Sequence, residues 1–208
     1  MSILVLPVGS YEQHGAHLPP DTDTIIATHF ARKTVELFAN LELGPPVTIS
    51  ASGEHNGFNN TLSVGNNALT TMLIEVIRSA DWCDGVILIN GHGGNVRAIE
   101  NAVEIAKSEG RKVLAWSPRL PDGDAHAGFS ETSLMLAISP SSVRMICAEA
   151  GNTEPLQDLM PSIIKHGIKS VSANGVLGDP TMANAAAGRE IANTLMVDIA
   201  SAVANWLA

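Results

Sequence analysis

Three short segments of the chain together supply carboxylates and imidazoles, a combination that binds divalent metals. The first segment contains Glu12, His14 and Asp23. Carboxylate oxygens and imidazole nitrogens suit Zn, Mn or Fe. Glu12 and His14 are two positions apart, so their side chains project the same way if the backbone is extended. We interpret this segment as a source of metal ligands, and a polar surface loop is the alternative.

A second segment spans Asn90 to Asn95 and reads NGHGGN. It follows a strongly apolar run, and its glycines allow the backbone to approach a bound group closely. The Lys-Ser/Thr pair of a P-loop and the GxGxxG pattern of a dinucleotide site are both absent, which disfavours a phosphate cradle. We therefore interpret His92 as a metal ligand. The alternative is a tight turn in which this histidine hydrogen-bonds the backbone.

A third segment spans Asp124 to Ser133 and contains His126 and Glu131. In one interpretation Glu131 is a metal ligand and His126 is an acid or base group, since imidazole titrates near neutral pH. The other interpretation is an ordinary helix start, where Ser130 caps the helix and Glu131 interacts with its dipole. The coincidence of three such segments in one chain favours the metal site.

A fourth polar segment, Ser52 to Phe58, follows a predicted strand and is expected to border the same site. We assign its residues Glu54, His55 and Asn56 to substrate binding. His55 also has two alternatives, a metal ligand or a histidine held by hydrogen bonds within its loop.

The elements that position these segments follow from apolar periodicity and from Gly and Pro breaks. The predicted strands are Ile3–Val8, Val47–Ala51, Gly85–Asn90 and Val113–Trp116, and the predicted helices are Thr24–Phe38, Asn66–Ala80, Asn95–Glu109, Glu131–Ile138 and Ala183–Trp206. Their alternation predicts a single α/β domain, residues 1–208, with a mainly parallel sheet. Ligands collect at the carboxyl ends of strands in such sheets, which is where the polar segments lie.

Composition excludes several classes of function. The net charge of −9, from 12 basic and 21 acidic residues, argues against a nucleic-acid surface, and 4% aromatic residues supply no stacking platform. The apolar runs are too short to cross a bilayer, and the chain starts without a basic leader, so we expect a cytoplasmic protein without a membrane partner. Cys83 and Cys147 have no CxxC or Cys/His neighbour, so we expect reduced structural thiols.

The motifs resemble those of the creatininase family. The matching segments are Gly9 to Gly15 (GSYEQHG), Asp21 to Asp23 (DTD), Asn90 to Asn95 (NGHGGN) and His126 to Ser133 (HAGFSETS). The resemblance implies a three-layer α/β/α fold, two divalent metals (Zn, Mn or Fe) and homo-oligomers that are commonly hexamers. It also implies that Glu12, Asp23 and His92 surround one metal, that His14, Asp23 and Glu131 surround the other, and that Asp23 bridges them. His126 would protonate the leaving group.

Within this family the chain is most similar to the peptidases of the mycofactocin system. The segments that carry the likeness are Ser52 to His55, Arg78 to Trp82, Glu109 to Arg111 and Asn174 to Pro180. The resemblance implies hydrolysis of a modified ribosomal precursor peptide with release of a C-terminal Val-Tyr dipeptide. Two departures stand out. Gly94 occupies a position that is acidic in creatinine hydrolases, and Asn59-Asn60 replaces a common Pro-Gly pair.

The same residues are compatible with functions other than a peptidase. One keeps the chemistry but takes a small cyclic amide or formamide, as in creatinine or formamidopyrimidine hydrolysis. Another is a metal-stabilised subunit of an assembly without turnover. A Ser-His-Asp hydrolase is disfavoured because the chain has no GxSxG nucleophile elbow.

Overall fold

The computed structural model describes residues 2–120 and 123–208 of the chain. Its four named strands are β1 (Ile3–Val8), β2 (Leu41–Leu43), β3 (Gly85–Asn90) and β4 (Val113–Trp116). Its α-helices are α1 (Thr22–Leu37), α2 (Gly65–Ser79), α3 (Val96–Ser108), α4 (Phe129–Ile138), α5 (Leu156–His166) and α6 (Ala185–Leu207). The strands form one sheet in the order β2-β1-β3-β4, and every pairing is parallel. Val5 of β1 lies opposite both Leu43 and Ile87.

Helices cover both faces of the sheet, because the apolar side chains of β1 and β3 point alternately to either side. Leu4 and Leu88 pack in the core that α2 and α3 complete. Val5 and Ile87 pack in the core shared with α1, α4 and α6, which includes Phe30. Strands buried on both faces read as unbroken apolar runs, and β1 and β3 are fully buried. The predicted α/β/α fold with a parallel sheet is confirmed.

Three of the four predicted strands, β1, β3 and β4, are confirmed at both ends. The five predicted helices are also present, with ends shifted by no more than about two residues, as is usual for frayed helix termini. None of the helices in residues 2–120 and 123–208 combines the length and apolar character that crossing a bilayer requires.

The prediction of a strand at Val47–Ala51 is wrong. The chain pairs with β1 earlier, at β2, and Val47 makes only an isolated bridge to Val8. Pro45 and Pro46 stand between these two contacts, and proline has no N–H to donate to a ladder. The prediction also missed α5, which contains Pro161 inside the helix.

Candidate metal centre

The loop after β1 brings Glu12 and His14 into the interior, where both are fully or almost fully buried. It runs against the start of α1, and a Cβ on Gly9 would lie 2.4 Å from Thr24 Cα. Glycine at this position therefore lets the two segments approach closely. The helix α1 begins at Thr22, so Asp23 lies in its first turn, and the Ser10 hydroxyl donates a 2.6 Å hydrogen bond to its carboxylate. The N-cap residue, Asp21, makes no side-chain cap hydrogen bond.

Asp23 lies between two histidines, with one carboxylate oxygen facing each. Asp23 Oδ1 is 3.3 Å from His14 Nε2, and Asp23 Oδ2 is 3.2 Å from His92 Nδ1. Glu12 Oε2 is 3.2 Å from His92 Nε2, and Glu131 Oε2 is 3.6 Å from His14 Nε2. All five predicted metal ligands thus come together at the carboxyl ends of the strands.

The five residues form two overlapping groups that could each hold a metal ion. One group is Glu12, Asp23 and His92, and the other is His14, Asp23 and Glu131. Within each group the potential ligand atoms lie within 4.8 Å of one another. The shared member is Asp23, in agreement with the bridging position that the resemblance implies.

Two asparagines that the sequence analysis did not select hold this arrangement in place. The Asn90 side chain donates to the backbone oxygen of His92 at 2.8 Å and accepts from its backbone nitrogen at 3.2 Å. The Asn95 side chain donates to Gly9 O at 2.9 Å and accepts from Ala51 N at 3.1 Å. Asn95 therefore joins three loops of the site. In the sequence, the position of Asn90 and Asn95 at the two ends of the NGHGGN motif was the only indication of this role.

The start of α4 differs from the prediction. The helix begins at Phe129, so Ser130 is inside its first turn and is not the cap. The carboxylate of Asp124 accepts hydrogen bonds from the backbone nitrogens of Phe129 and Ser130 instead. Glu131 bends back to accept from Ala127 N at 2.7 Å, which keeps its carboxylate beside His14.

The buried charges of this cluster are poorly compensated by the protein. Both oxygens of Glu12 are buried, and neither has a hydrogen-bond partner among the residues that the structure describes. Within the same described ranges, no Lys or Arg lies within ion-pair distance of Glu12, Asp23 or Glu131. A buried carboxylate without a partner is costly, so this environment suits a cation.

The pKa values indicate where protons reside when no metal is bound. Burial opposes the charged form of His14, but Asp23 and Glu131 raise its pKa well above the ordinary value. Burial has the same effect on His92, and Glu12 and Asp23 raise its pKa in turn. Burial would raise the pKa of Asp23, but His14 and His92 hold it well below the usual range. Without a metal, the protonated imidazoles of His14 and His92 therefore supply the positive charge beside these carboxylates.

His126 borders the cluster and is 8% exposed. Its Nε2 lies 2.8 Å from Gln13 O, so we assign the proton to Nε2, which donates to this carbonyl. The other nitrogen, Nδ1, is 3.8 Å from Glu12 Oε1 and faces the cluster. Burial and the neighbouring His14 lower the pKa of His126. Glu12, His14 and His126 also form a group that could hold a metal, so the geometry alone allows a ligand as well as a proton carrier.

The fourth segment reaches the same site through a short 3-10 helix, Gly53–His55. His55 is buried, with Nε2 3.3 Å from Glu12 Oε1. Burial is the main reason why its pKa is lowered. Glu54 is partly exposed, Asn56 is exposed, and both line the cavity above the cluster.

Gln13 is a further residue of the site that sequence reasoning missed. Its side-chain nitrogen lies 3.0 Å from His55 Nδ1, 3.3 Å from His126 Nε2 and 3.0 Å from Gly175 O. Because His126 Nε2 carries a proton, the two N–H groups of the Gln13 amide donate to His55 Nδ1 and Gly175 O, so the side chain links His55 to a loop far away in sequence. Only its place between Glu12 and His14 could have drawn attention to it.

The cluster opens into a cavity of about 1400 Å³. Asp23, Glu54, His92, His126 and Glu131 line its base, and α5 with its flanking residues forms part of the wall. A helix that the sequence analysis did not predict thus shapes part of the cavity above the cluster.

Comparison with known proteins identifies the family. The family model described as "Creatininase: Creatinine amidohydrolase" matches residues 1–203. The chain belongs to the creatininase family. A relative from Mycobacterium tuberculosis, named mycofactocin precursor peptide peptidase, is 46% identical over 98% of this chain and 85% of its own length. The creatinine amidohydrolase of Pseudomonas putida is 29% identical over 76% of this chain and 74% of its own length.

Solved creatininase structures agree with this assignment. A structure described as "Creatininase Mn" has a TM-score of 0.78 and 26% sequence identity, and covers 97% of this chain and 90% of its own. A mutant creatininase of "Zn-Zn type" has a TM-score of 0.79 at the same identity, over 97% of this chain and 89% of its own. The sequence-based assignment to a creatininase-family amidohydrolase is therefore confirmed.

The Asn59-Asn60 departure from the family turn has a local explanation. Asn60 adopts φ of 59°, in the left-handed region that glycine usually occupies. Asparagine tolerates this conformation better than most residues, so the chain turns here without the glycine.

Proposed function

We propose that this creatininase-family chain is a dinuclear peptidase that cleaves the mycofactocin precursor peptide near its C-terminus and releases a Val-Tyr dipeptide. The observation that carries the proposal is Asp23, whose two oxygens face His14 and His92 while the buried Glu12 lacks a hydrogen-bond partner among the described residues. The relatives at 46% identity support the choice of substrate.

The residues present fit two divalent cations. Glu12, Asp23 and His92 would hold one, and His14, Asp23 and Glu131 the other. Zn, Mn or Fe suits these carboxylate and imidazole donors, and the Zn and Mn forms of solved creatininases support the first two. When bound, the cations polarise the amide carbonyl and lower the pKa of water toward neutrality.

The side chains around the cluster supply the remaining chemistry. His126 carries its free lone pair on Nδ1, which faces the cluster, so this atom takes up a proton there and delivers it to the departing amine. Gln13 orients His126 through its backbone oxygen, which accepts from Nε2, and it orients His55 through its side-chain amide nitrogen, which donates to Nδ1. Glu54, His55 and Asn56 border the cavity and would orient the peptide.

The size of the cavity favours a peptide over a small ring. At about 1400 Å³ it exceeds the ~300–1,000 Å³ that is typical of small-molecule sites. The relatives that hydrolyse creatinine or a formylaminopyrimidine support the second candidate, a small cyclic amide or formamide. A non-catalytic, metal-stabilised subunit is the third.

One assay separates the three candidates. The enzyme, loaded with Mn, Zn or Fe, is given the modified precursor peptide, creatinine and a formylated pyrimidine, and products are followed by mass spectrometry. Release of Val-Tyr is the expected result. Turnover of a small amide alone would favour the second candidate, and inactivity on all substrates with both metals bound would favour the third.

We further propose that the 208-residue chain acts as one domain within a homo-oligomer, a hexamer by family resemblance. Exposed apolar side chains, among them Ile146, Met182 and Val197, support such contacts. Light scattering on the purified protein measures the assembled mass, and a monomer at micromolar concentration would contradict the proposal.

A further inference from the structure

Glu54 directs its carboxylate at the buried cluster as well as lining the cavity. Glu54 Oε1 lies 3.2 Å from His92 Nε2, the same distance that separates this nitrogen from Glu12 Oε2. The Glu54 side chain is 26% exposed, so it stands between the interior and the cavity. Glu12, Glu54 and His55 also offer potential ligand atoms within 4.8 Å of one another.

The carboxylate of Glu54 occupies space that Gly94 leaves free. A Cβ on Gly94 would lie 2.2 Å from Glu54 Oε1, 2.4 Å from His92 Nε2 and 2.5 Å from Ala51 O. The backbone of Gly94 is outside the left-handed region, so glycine is required here because a side chain would not fit and not because of the backbone conformation. The preceding Gly93 has nothing within 4 Å of such a Cβ. Any side chain at position 94 would therefore displace the Glu54 carboxylate, whereas position 93 is tolerant.

The charge around His92 is not balanced by the protein. Glu12, Asp23 and Glu54 all lie 3.2 Å from one of its two ring nitrogens. A single imidazolium can neutralise one of these three carboxylates. Glu12 is fully buried, and neither of its oxygens has a hydrogen-bond partner among the described residues, so it is an independent sign that a cation belongs in this space.

We infer that Glu54 is a further ligand of the metal held by Glu12, Asp23 and His92, an inference that rests on the proposed dinuclear site. With Asp23 shared, this metal has four protein ligands and the metal at His14 and Glu131 has three. The first metal should accordingly bind more tightly than the second, and Glu54 should affect the first alone. Asn56 then remains as an exposed residue of this segment that is available to the substrate.

Metal affinity tests the inference without recourse to activity. Metal-free wild type and Glu54→Gln are titrated with Zn²⁺ against a chelating indicator dye. We expect Glu54→Gln to weaken one of two sites by about 10–100-fold or more and to leave the other unchanged. The matched control is Glu154→Gln, an equal change at another exposed acid of the cavity, which should bind like the wild type. Gly93→Ala, whose Cβ would meet no atom within 4 Å, should also bind like the wild type.

The position of the metal provides the second readout. Anomalous diffraction from Zn-loaded crystals should place a Zn about 2.0–2.2 Å from a carboxylate oxygen of Glu54. Both affinities unchanged in Glu54→Gln, even with lowered activity, would overturn the inference and leave Glu54 as a substrate contact. Asp23→Asn is titrated in parallel, because retention of both metals in that variant would mean that the dinuclear site itself is wrong.

Discussion

Charged side chains cluster at both ends of the sheet, but in opposite surroundings. At the carboxyl end Glu12 and Asp23 are buried beside histidines. At the amino end, after α2 and α3, Arg78 pairs with Glu75 at 2.6 Å and with Glu109, and Arg111 lies 3.4 Å from Glu109. The side chains of Arg78 and Glu75 are 41% and 63% exposed.

The difference lies in how each carboxylate is compensated. The Arg78 guanidinium lowers the pKa of Glu109 by hydrogen bonding, and water and salt screen the remaining charge. Glu12 is fully buried, and among the residues that the structure describes its ion-pair neighbours are histidine imidazoles, including those of His55 and His92, and not a guanidinium. The carboxylates at the amino end are thus compensated within the chain, whereas the proposed cations would compensate those at the carboxyl end. Acidic residues form exposed ion pairs at one end and, under the proposed function, bind metals at the other.

The largest effect is expected from Asp23→Asn, which removes the charge that both metals share. We expect occupancy to fall at both positions and activity to drop below detection. Glu109→Gln is the matched control at the exposed end and should retain both metals and full activity, since exposed ion pairs contribute little. Elemental analysis measures the metal content of both variants. Two metals held at unchanged affinity in Asp23→Asn would show that Asp23 does not bridge the metals.

Glu131→Gln should empty one metal position and abolish turnover while the metal at Glu12 and His92 stays bound. If Glu131 served only the dipole of α4, the loss would be ~0.3–1 kcal/mol of stability and activity would persist. Metal content and thermal unfolding of the same preparation distinguish the two cases. A fully metallated, fully active variant of slightly lower stability refutes the ligand role.

His126→Ala should retain both metals and near-normal substrate binding, while kcat falls by ~10²–10⁴, the usual range for a lost acid or base group. An activated anilide or ester, whose leaving group needs no protonation, should be much less affected. A drop in metal content that excess metal partly reverses would instead make His126 a ligand. Equal losses on both substrates with both metals bound would leave it a positioning residue.

The last prediction concerns the pH dependence of metal affinity at the carboxyl end of the sheet. Because the carboxylates raise the pKa values of His14 and His92, both hold protons in the metal-free protein near neutral pH. Metal must displace those protons, so affinity should rise with pH by about tenfold per unit for each proton released. Zn²⁺ titrations in buffers of different ionisation enthalpy count the protons. Affinity that is constant from acid to neutral pH would show that the histidines are already neutral.

The sequence predicts the sheet and the convergence of the five candidate ligands because their signals are local. The apolar runs of β1, β3 and β4 are bounded by polar segments, and in a parallel sheet these segments must meet at one end. The five predicted ligands therefore converge although the chain separates Glu12 from Glu131 by more than half its length.

The parts that were missed depend on contacts between distant segments. The role of the Gln13 side chain comes from His55 and Gly175, which the fold brings to it and which no local pattern encodes. The interior Pro161 obscured α5, which tertiary packing of Leu159 and Ile163 stabilises. Serine is a common helix cap, but the backbone nitrogen of Ser130 is itself inside the helix and donates to the carboxylate of Asp124.

Anomalous diffraction from crystals of the Mn- or Zn-loaded enzyme would show whether two cations complete the carboxyl end of the sheet. We expect two anomalous peaks per chain, one beside Glu12, Asp23 and His92 and the other beside His14, Asp23 and Glu131. Asp23 should contact both peaks. A single peak, or two peaks that share no contact with Asp23, would contradict the proposed dinuclear site.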